Sequence, residues 1–335
     1  MEDSLANVLV STVPFASHDI LPLQLLDSVG AHVTINPIGR RLQEEELAEL
    51  IPATEILIAG TEPITRKVME AAPNLRLIAR VGIGLDNVDL LAARERGIQV
   101  TYTPEAPAPA VAELTVGLMV SLLRHTHTAN ALLHDGQWHR FMGRRIGEST
   151  IGVIGVGRIG SRVIQLLSSF GVQRFIAHDV APQIGSLQGI DVELVGQDEV
   201  FREADIVTLH VPLTPDTRNM VGRAQLDLMK ADAVLINTSR GGVVEEEALL
   251  HALQSGRLGG AAVDVFAHEP YEGPLTQESR CLLTSHMGSM SIDCRSRMEL
   301  EATREAVRFL TGESTLCPVP EQEYLIQAQA GSSTR

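Results

Sequence analysis

Short apolar runs of strand length alternate with segments of helical periodicity along most of the 335-residue chain. Such alternation is typical of parallel sheets whose two faces are both covered by helices. The apolar runs form two sets, at 7–13, 31–35, 55–59, 75–80 and 98–101, and then at 150–154, 174–177, 206–211, 233–237, 260–265 and 282–284. The pattern predicts an α/β chain with two parallel sheets.

A proline-rich stretch, TPEAPAP at 103–109, separates the two sets of strands. Its prolines exclude a continuing helix or a central strand, so it marks a crossing between domains. Helical periodicity returns at 111–130. A further helix is expected at 293–310, where apolar positions recur at Met298, Leu300, Val307 and Leu310.

We expect this last helix to return to the first domain, which leaves that domain discontinuous. The predicted domains are 1–103 plus 289–335 for one and 104–288 for the other. The small polar residues at 327–335 are expected to fray. The segment 135–145 carries the only tryptophan, Trp138, among arginines. This segment fits an interface, or a loop that closes over a ligand. It fits a small packing cluster outside the main core equally well.

The net charge of −15 argues against nucleic acid or an anionic membrane as the main partner, because both reward clustered Lys and Arg. Three cysteines without metal-ligand spacing indicate a reducing compartment, no disulfide framework and no metal site. The acidic N-terminus does not resemble a secretory signal, and no apolar run approaches the roughly 20 residues of a membrane helix. We expect a cytoplasmic protein.

The segment IGVIGVGRIG at 151–160 places Gly155, Gly157 and Gly160 in the spacing G-x-G-x-x-G. The first glycine permits a tight turn, the second lets the backbone approach a pyrophosphate, and the third allows close helix packing. A strand pattern precedes the motif, and a helical pattern follows whose first amides would face the anion. Asp179 stands where an acid bonds a ribose 2′-hydroxyl. It would repel a 2′-phosphate, so the predicted cofactor is NAD.

A proline-led apolar segment, HVPLT at 210–214, follows the predicted strand at 206–211. This segment would suit an adenine ring. Taken alone, it also fits an ordinary end of a strand.

Three chemically distinct side chains each follow a predicted strand: Arg240 in INTSRGG, Glu269 in DVFAHEP and His286 in TSHMG. Ligands of open α/β sheets bind beyond the carboxyl ends of the strands. Hydride transfer to a 2-keto acid requires that the carboxylate be held and that charge on the carbonyl oxygen be neutralised by a proton. Arg240 supplies a bidentate cation and His286 a general acid or base, while Glu269 favours the charged imidazolium. Taken singly, Arg240 also fits a surface ion pair, Glu269 a solvated loop acid and His286 a core histidine.

These motifs, together with VGIGLDNVDL at 81–90, AELTVGLM at 112–119 and HVPLTPDT at 210–217, carry a family resemblance. Over about residues 7–312 the chain resembles the D-isomer-specific 2-hydroxyacid dehydrogenases, and among them most closely the D-3-phosphoglycerate dehydrogenases. The resemblance implies two Rossmann-like or flavodoxin-like domains with a substrate cleft between them, and a homodimer joined through the NAD-binding domains. It also implies that Arg240, Glu269 and His286 are catalytic.

The resemblance further assigns binding roles. The expected cofactor-binding residues are Gly155, Gly157, Arg158, Ile159, Gly160, Asp179, His210, Val211, Pro212, Thr217, Thr238, Ser239, Asp264, His286 and Gly288. The expected substrate-binding residues are Arg80, Val81, Gly82, Ile83, Gly84, Arg240 and His286. Two glycines at 82 and 84 would let backbone amides converge on a carboxylate.

The chain departs from the family at positions that bear on the substrate. Pro107 replaces a common asparagine, and Gly60 stands where phosphoglycerate dehydrogenases commonly use a phosphate-binding arginine. Arg80 matches a second phosphate contact, and Arg144 or Arg145 would have to reach across a dimer to add charge. Ser285 and Met287 flank His286 where proline usually precedes the histidine. A regulatory small-molecule-binding domain after the last helix is not expected.

The expected function is interconversion of a small acidic D-2-hydroxy acid and its 2-keto acid with NAD. The substrate would carry a phosphate or phosphonate, or be an unphosphorylated acid such as glyoxylate or hydroxypyruvate. A dinucleotide-sensing interaction protein of the corepressor kind is a further alternative. Formate-type and phosphite-type dehydrogenases fit less well.

Overall fold

The computed structural model describes residues 6–182, 185 and 187–332. The chain divides into two compact units, one of Met1–Pro107 with Ser291–Arg335 and one of Ala108–Met290. Each unit contains a parallel sheet with helices, which confirms the predicted α/β class. Within the described residues, no helix is both long and apolar enough to cross a membrane.

The described part of unit 1 contains a five-stranded sheet. Its strands are β1 (Asn7–Val10), β2 (His32–Ile35), β3 (Ile56–Ala59), β4 (Leu77–Arg80) and β5 (Gln99–Thr101). They pair in parallel in the order β2-β1-β3-β4-β5, the flavodoxin-like arrangement. Each strand coincides with a predicted apolar run. The helices before the second unit are α1 (Leu21–Ser28), α2 (Glu44–Leu50), α3 (Arg66–Glu70) and α4 (Leu90–Glu95).

Two helices after residue 290 complete unit 1 and are numbered α11 (Ile292–Leu310) and α12 (Glu321–Ser332) in chain order. Helix α11 packs on α1 and on strand β4. Helix α12 packs on α4, so the predicted fraying from residue 327 is wrong as far as residue 332. The rest of that prediction, at 333–335, lies outside the described residues. Fraying was predicted from small polar side chains, but the contacts of α12 with α4 outweigh that composition.

The described part of unit 2 contains a seven-stranded parallel sheet in the order β12-β11-β10-β9-β6-β7-β8. Its strands are β6 (Thr150–Ile154), β7 (Arg174–His178), β8 (Glu193–Leu194), β9 (Ile206–Leu209), β10 (Val234–Asn237), β11 (Gly260–Val263) and β12 (Cys281–Leu283). The order reverses between β6 and β9, and the carboxyl ends at such a switch point bind nucleotides. The sequence pattern missed β8, a two-residue edge strand with both side chains exposed.

The helices of unit 2 are α5 (Ala108–Leu123), α6 (Thr126–His134), α7 (Arg158–Ser168), α8 (Gln197–Glu203), α9 (Arg223–Leu228) and α10 (Glu246–Gln254). The single helix predicted at 111–130 is therefore wrong, because it breaks between α5 and α6. At the break, the Arg144 amide donates to Leu123 O at 3.0 Å. That carbonyl is satisfied from outside the helix, and His125 adopts a left-handed conformation with φ 55°.

The sheet of unit 2 separates two hydrophobic cores. Ile151 and Val153 of β6 belong to the core that contains residues of α5 and α7, whereas Ile154 belongs to the core with residues of α8 and α10. Burial of both faces explains why these strands read as continuous apolar runs rather than as alternating ones.

The cysteines of the chain are free thiols. Burial raises the pKa of Cys281 to about 12 and that of Cys294 to about 11. Because the thiolate is the nucleophile, neither side chain is reactive near neutral pH.

Candidate active site

The glycine-rich turn follows β6 directly and leads into α7. Gly155 has φ 94°, and a Cβ there would lie 2.4 Å from His210 O. At Gly160 a Cβ would lie 2.0 Å from Gly155 O, so only glycine lets α7 approach the turn. A Cβ at Gly157 would meet nothing within 4 Å. The turn therefore leaves open space before the first residues of α7, Arg158 and Ile159, and the positive end of a helix favours an anion there. This geometry fits the pyrophosphate of a dinucleotide.

Asp179 follows β7 and lies beside the glycine-rich turn. Its carboxylate accepts hydrogen bonds from the amides of Val156 at 2.5 Å and Ala181 at 2.7 Å. The side chain is only half-buried, so its oxygens remain accessible for a hydroxyl ligand. Asp179 thus both shapes the turn and offers the negative charge expected beside an adenosine ribose.

The Asp179→Ala variant is expected to raise the KM for NAD by about 10- to 100-fold, the effect of losing a charge-assisted hydrogen bond. Preference for NAD over NADP should fall, because the charge that repels a 2′-phosphate is gone. Initial rates with each dinucleotide measure both effects. Asp191→Ala, which removes an exposed carboxylate elsewhere in the unit, is the control. Equal use of NAD and NADP by the parent would contradict this role.

The segment after β9 is shaped by its own hydrogen bonds. The Thr217 hydroxyl donates to Pro212 O at 2.6 Å and accepts from the Thr214 amide at 2.8 Å. Val211 lies against Gly155, since a Cβ at Gly155 would be 3.1 Å from its Cγ1. Thr217 therefore acts within this loop, and Val211 presents an apolar side chain beside the glycine-rich turn.

His210 is partly buried, and its backbone carbonyl lies against Gly155 of the same turn. Desolvation lowers its pKa to about 3, so the imidazole is neutral near neutral pH. Its Nε2 lies 2.9 Å from Thr208 Oγ1, and its Nδ1 has no hydrogen-bond partner among the described residues. His210 therefore contributes packing and its backbone carbonyl to the turn, and no positive charge.

A buried asparagine shapes the turn that carries Arg240. Asn237 ends β10, and its Oδ1 accepts from the amide and hydroxyl of Ser239 at 3.1 and 2.8 Å. Its Nδ2 donates to Arg240 O at 3.1 Å. Next along the chain, a Cβ at Gly241 would lie 1.9 Å from Phe266 O. The Arg240 turn is thus packed against the loop that follows β11.

Glu269 lies in that loop and contacts His286, which follows β12. Glu269 Oε2 lies 2.8 Å from His286 Nδ1, and Glu269 Oε1 accepts from the Phe266 amide at 3.0 Å. Both side chains are partly exposed, with 38% of His286 and 26% of Glu269 accessible. One ring nitrogen is therefore occupied by a carboxylate, while the imidazole keeps an accessible surface.

Asp264 builds the backbone that presents His286. The Asp264 carboxylate accepts from Thr284 Oγ1 at 2.6 Å and from the amides of Met287 and Gly288 at 2.8 and 2.9 Å. His286 has φ 52°, a left-handed conformation that costs a non-glycine residue about 1–2 kcal/mol. The hydrogen bonds of Asp264 on either side of His286 offset that strain.

Beside Asn237, the neighbouring predicted residues Thr238 and Ser239 are both buried. Thr238 Oγ1 lies 2.8 Å from Thr115 Oγ1 of α5, which ties the turn after β10 to that helix. The turn therefore has little freedom to move, and the Arg240 side chain is itself tied to it, since Nη1 donates to Ser239 O at 2.7 Å.

In unit 1, Arg80 ends β4 and is buried. Its Nε donates to Asn87 Oδ1 at 3.2 Å, and its Nη1 donates to Val81 O. Gly82 has φ 144°, and a Cβ there would lie 2.7 Å from Arg80 Nη1. The Gly82 amide donates to Thr103 Oγ1 at 2.8 Å. The guanidinium thus lies against a loop whose remaining members, Ile83 and Gly84, are partly exposed.

Glu62 is a buried acid at the carboxyl end of the unit 1 sheet that the sequence pattern did not reveal. It follows β3, is 1% exposed, and accepts from the Gly60 amide at 2.8 Å and from the Ser11 hydroxyl. A Cβ at Gly60 would lie 2.8 Å from both Glu62 Oε2 and Thr12 Oγ1. Applied to β3, the strand-end rule that selected Arg240 and His286 would have pointed to Glu62 as well.

Residues 116–288 match the family model described as D-isomer specific 2-hydroxyacid dehydrogenase, NAD binding domain. A hydroxypyruvate reductase of Thermotoga maritima is 38% identical over 282 residues, which cover 81% of this chain and 90% of that protein. A D-3-phosphoglycerate dehydrogenase of Methanocaldococcus jannaschii is also 38% identical, over 302 residues, 87% of this chain and 56% of that protein.

Among solved structures, the TT0316 protein of Thermus thermophilus superposes with a TM-score of 0.85 at 35% identity, covering 94% of this chain and all of that one. The chain spans about half the length of several phosphoglycerate dehydrogenases that it matches. Relatives of equal identity thus carry different substrate names, and the choice of substrate depends on the geometry of this chain.

Proposed function

Because the chain belongs to the D-isomer specific 2-hydroxyacid dehydrogenase family, we propose that it is an NAD-dependent oxidoreductase. It would interconvert a small D-2-hydroxy acid and the corresponding 2-keto acid. The observation that carries this proposal is the contact of 2.8 Å between His286 Nδ1 and Glu269 Oε2, at the same end of the sheet as Arg240 and the glycine-rich turn. Unit 2 would be the NAD-binding domain and unit 1 the substrate-binding domain.

Bound NAD supplies a hydride acceptor for oxidation and, in its reduced form, a hydride donor for reduction. His286 would give a proton to the carbonyl oxygen from Nε2 during reduction and take it back during oxidation, because Nδ1 is held by Glu269. Glu269 would orient the imidazole through the contact with Nδ1, which leaves Nε2 to face the substrate. Arg240 would hold the substrate carboxylate through its guanidinium. In unit 1, the anion donors that the 81–84 loop would offer are the amides of Ile83 and Gly84, because the Val81 amide donates to Ala59 O and the Gly82 amide to Thr103 Oγ1, each at 2.8 Å.

The charges of unit 1 favour a substrate without a second anionic group. At the carboxyl end of its sheet, Arg295 Nε pairs with Glu299 Oε1 at 2.6 Å, and Arg295 Nη2 donates to Thr12 Oγ1 at 2.7 Å. Glu62 is a neighbour of the same place, since a Cβ at Gly60 would lie 2.8 Å from both Glu62 Oε2 and Thr12 Oγ1. Together with Arg80, these buried groups comprise two cations and two anions.

A phosphate would therefore gain no net attraction from the buried charges at this sheet edge. Glu62 and Thr12 also fill the space that any side chain at position 60 would need. Arg41 donates to Thr61 O at 3.1 Å from an exposed position, where its charge is screened by solvent. We therefore favour unphosphorylated acids such as glyoxylate or hydroxypyruvate over 3-phosphohydroxypyruvate.

A panel of substrates tests both the proposed dehydrogenase activity and the proposed preference for unphosphorylated acids. NADH oxidation is followed with glyoxylate, hydroxypyruvate, 2-ketoglutarate, 3-phosphohydroxypyruvate and a phosphonate analogue. We expect kcat/KM for the best unphosphorylated acid to exceed that for 3-phosphohydroxypyruvate by about 100-fold, the effect of an uncompensated charge. A preference for the phosphorylated acid would overturn the substrate assignment. Turnover of none of these acids would overturn the proposed activity.

We also propose that the protein is a homodimer joined through unit 2. Helix α6 has no buried side chain, and in the loop that follows it Trp138 and Met142 are 82% and 95% exposed. Trp138 therefore does not form a packing cluster within the unit. Exposed large apolar side chains beside a helix without a fully buried residue are typical of a surface covered by another subunit.

Light scattering after size exclusion should give twice the mass of one chain. The double variant Trp138→Ser, Met142→Ser should shift the protein towards the monomer at micromolar concentration. The control is Leu316→Ser, which removes an exposed apolar side chain from unit 1. A monomeric parent would contradict this arrangement.

A further inference from the structure

Helix α12 is attached to unit 1 by specific contacts. Arg94 of α4 donates from Nη1 and Nη2 to the two carboxylate oxygens of Glu321, at 2.9 and 2.6 Å. The Arg94 guanidinium carbon also lies 3.6 Å from the centre of the Tyr324 ring. Two side chains in the first turn of α12 thus fix its position on α4, which gives the next turn a defined place.

Gln327, one turn further along α12, reaches the backbone of the segment 85–90. Its Oε1 accepts from the Leu90 amide at 2.9 Å. Its Nε2 donates to Val88 O at 2.7 Å and to Leu85 O at 3.5 Å. One side chain therefore binds three backbone groups that lie more than 200 positions away in the sequence.

The bound segment directly continues the loop of residues 81–84. Between the carbonyls that Gln327 binds lies Asn87, whose Nδ2 donates to Glu62 O at 2.7 Å and Gly60 O at 3.2 Å. The Asn87 Oδ1 accepts from Arg80 Nε. Displacing the 85–88 backbone would therefore move the group that orients the Arg80 guanidinium, and with it the end of the 81–84 loop.

We propose that Gln327 is a positioning residue for the substrate loop, and that α12 holds the loop at its C-terminal side through this one amide. This inference rests on the proposed function, in which the 81–84 loop and Arg80 bind the substrate. Thr103 holds the other side of the loop through the Gly82 amide. Loop 81–84 is thus fixed from both flanks, and loss of one anchor misplaces its amides rather than unfolding the unit, since Arg94 and Tyr324 still fix α12.

The test compares Gln327→Met, which keeps the side-chain length but cannot form the hydrogen bonds, with Gln322→Ala. Gln322 is exposed in the first turn of α12 and is the matched control. In Gln327→Met, amide hydrogen exchange in peptides that cover 81–90 should quicken by about tenfold. The KM for the 2-keto acid should rise by about tenfold, because the amides of Ile83 and Gly84 are no longer held in place for the carboxylate. The kcat and the KM for NADH should stay within about twofold of the parent.

Circular dichroism and thermal unfolding verify that Gln327→Met is folded. Exchange at 81–90 that equals that of the parent would overturn the anchoring of the loop, whatever the activity. Faster exchange with an unchanged KM would overturn the role in substrate positioning. These outcomes differ from failure of the proposed function, in which the parent itself reduces none of the acids in the panel.

Discussion

The His286→Asn variant should lose about 10²- to 10⁴-fold in kcat for reduction of a 2-keto acid. Asparagine keeps a polar group next to Glu269 but cannot carry a proton to the carbonyl oxygen near neutral pH. The loss should appear in kcat rather than in the KM for NADH, because the glycine-rich turn and Asp179 are untouched. Steady-state rates with the best acid of the panel measure it.

The matched control is His268→Asn, since His268 is exposed in the same loop as Glu269 and is not assigned to the reaction. NADH binding by the His286→Asn variant, followed by fluorescence, should fall far less than kcat, because the glycine-rich turn and Asp179 are unchanged. A variant that keeps kcat within about tenfold would show that another group moves the proton.

The Arg240→Lys variant should lose about 100-fold in kcat/KM for the keto acid, corresponding to about 3 kcal/mol. Lysine keeps the charge but cannot make the two parallel hydrogen bonds of a guanidinium to a carboxylate. The turn itself should survive, because Asn237 binds the backbone carbonyl of residue 240 and not its side chain.

The control is Arg223→Lys, which makes the same replacement of arginine by lysine at an exposed ion pair. Arg223 lies 3.6 Å from Asp227 in that pair. Arg240→Lys should also weaken inhibition by simple carboxylates such as oxalate, which compete for the same cation. Unchanged kcat/KM and unchanged inhibition would mean that the substrate carboxylate is held elsewhere.

The strands were predictable because burial of both sheet faces leaves continuous apolar runs in the sequence. Strand β8 left no such signal, since its two residues are exposed at the edge of the sheet. The break after α5 was not predictable either. It depends on the Arg144 amide, which lies 21 positions beyond Leu123 and leaves no glycine or proline at the break itself.

Some features of the candidate site were likewise predictable from the sequence, and others were not. Parallel strands end at one edge of a sheet, so residues that follow β10, β11 and β12 could be grouped from sequence order alone. The turn proposed to bind the cofactor was likewise predictable, from the G-x-G-x-x-G spacing of its glycines. By contrast, the roles of Glu62, Asn87 and Gln327 depend on single hydrogen bonds between distant segments, which have no periodicity. The family resemblance predicts that Asp264 binds the cofactor. Its hydrogen bonds to the backbone around His286 are visible only in the structure.

The support that Asp264 gives to the His286 backbone affects how the results of a mutational scan of this protein should be interpreted. Both oxygens of the Asp264 carboxylate are engaged, by the Thr284 hydroxyl and the amides of Met287 and Gly288. Substituting Asp264 would release the left-handed backbone of His286 and inactivate the enzyme as thoroughly as loss of the imidazole itself. Loss of activity alone would therefore not distinguish the carboxylate that supports the backbone from the proposed proton-transfer group, whereas the pH dependence of the residual rate would.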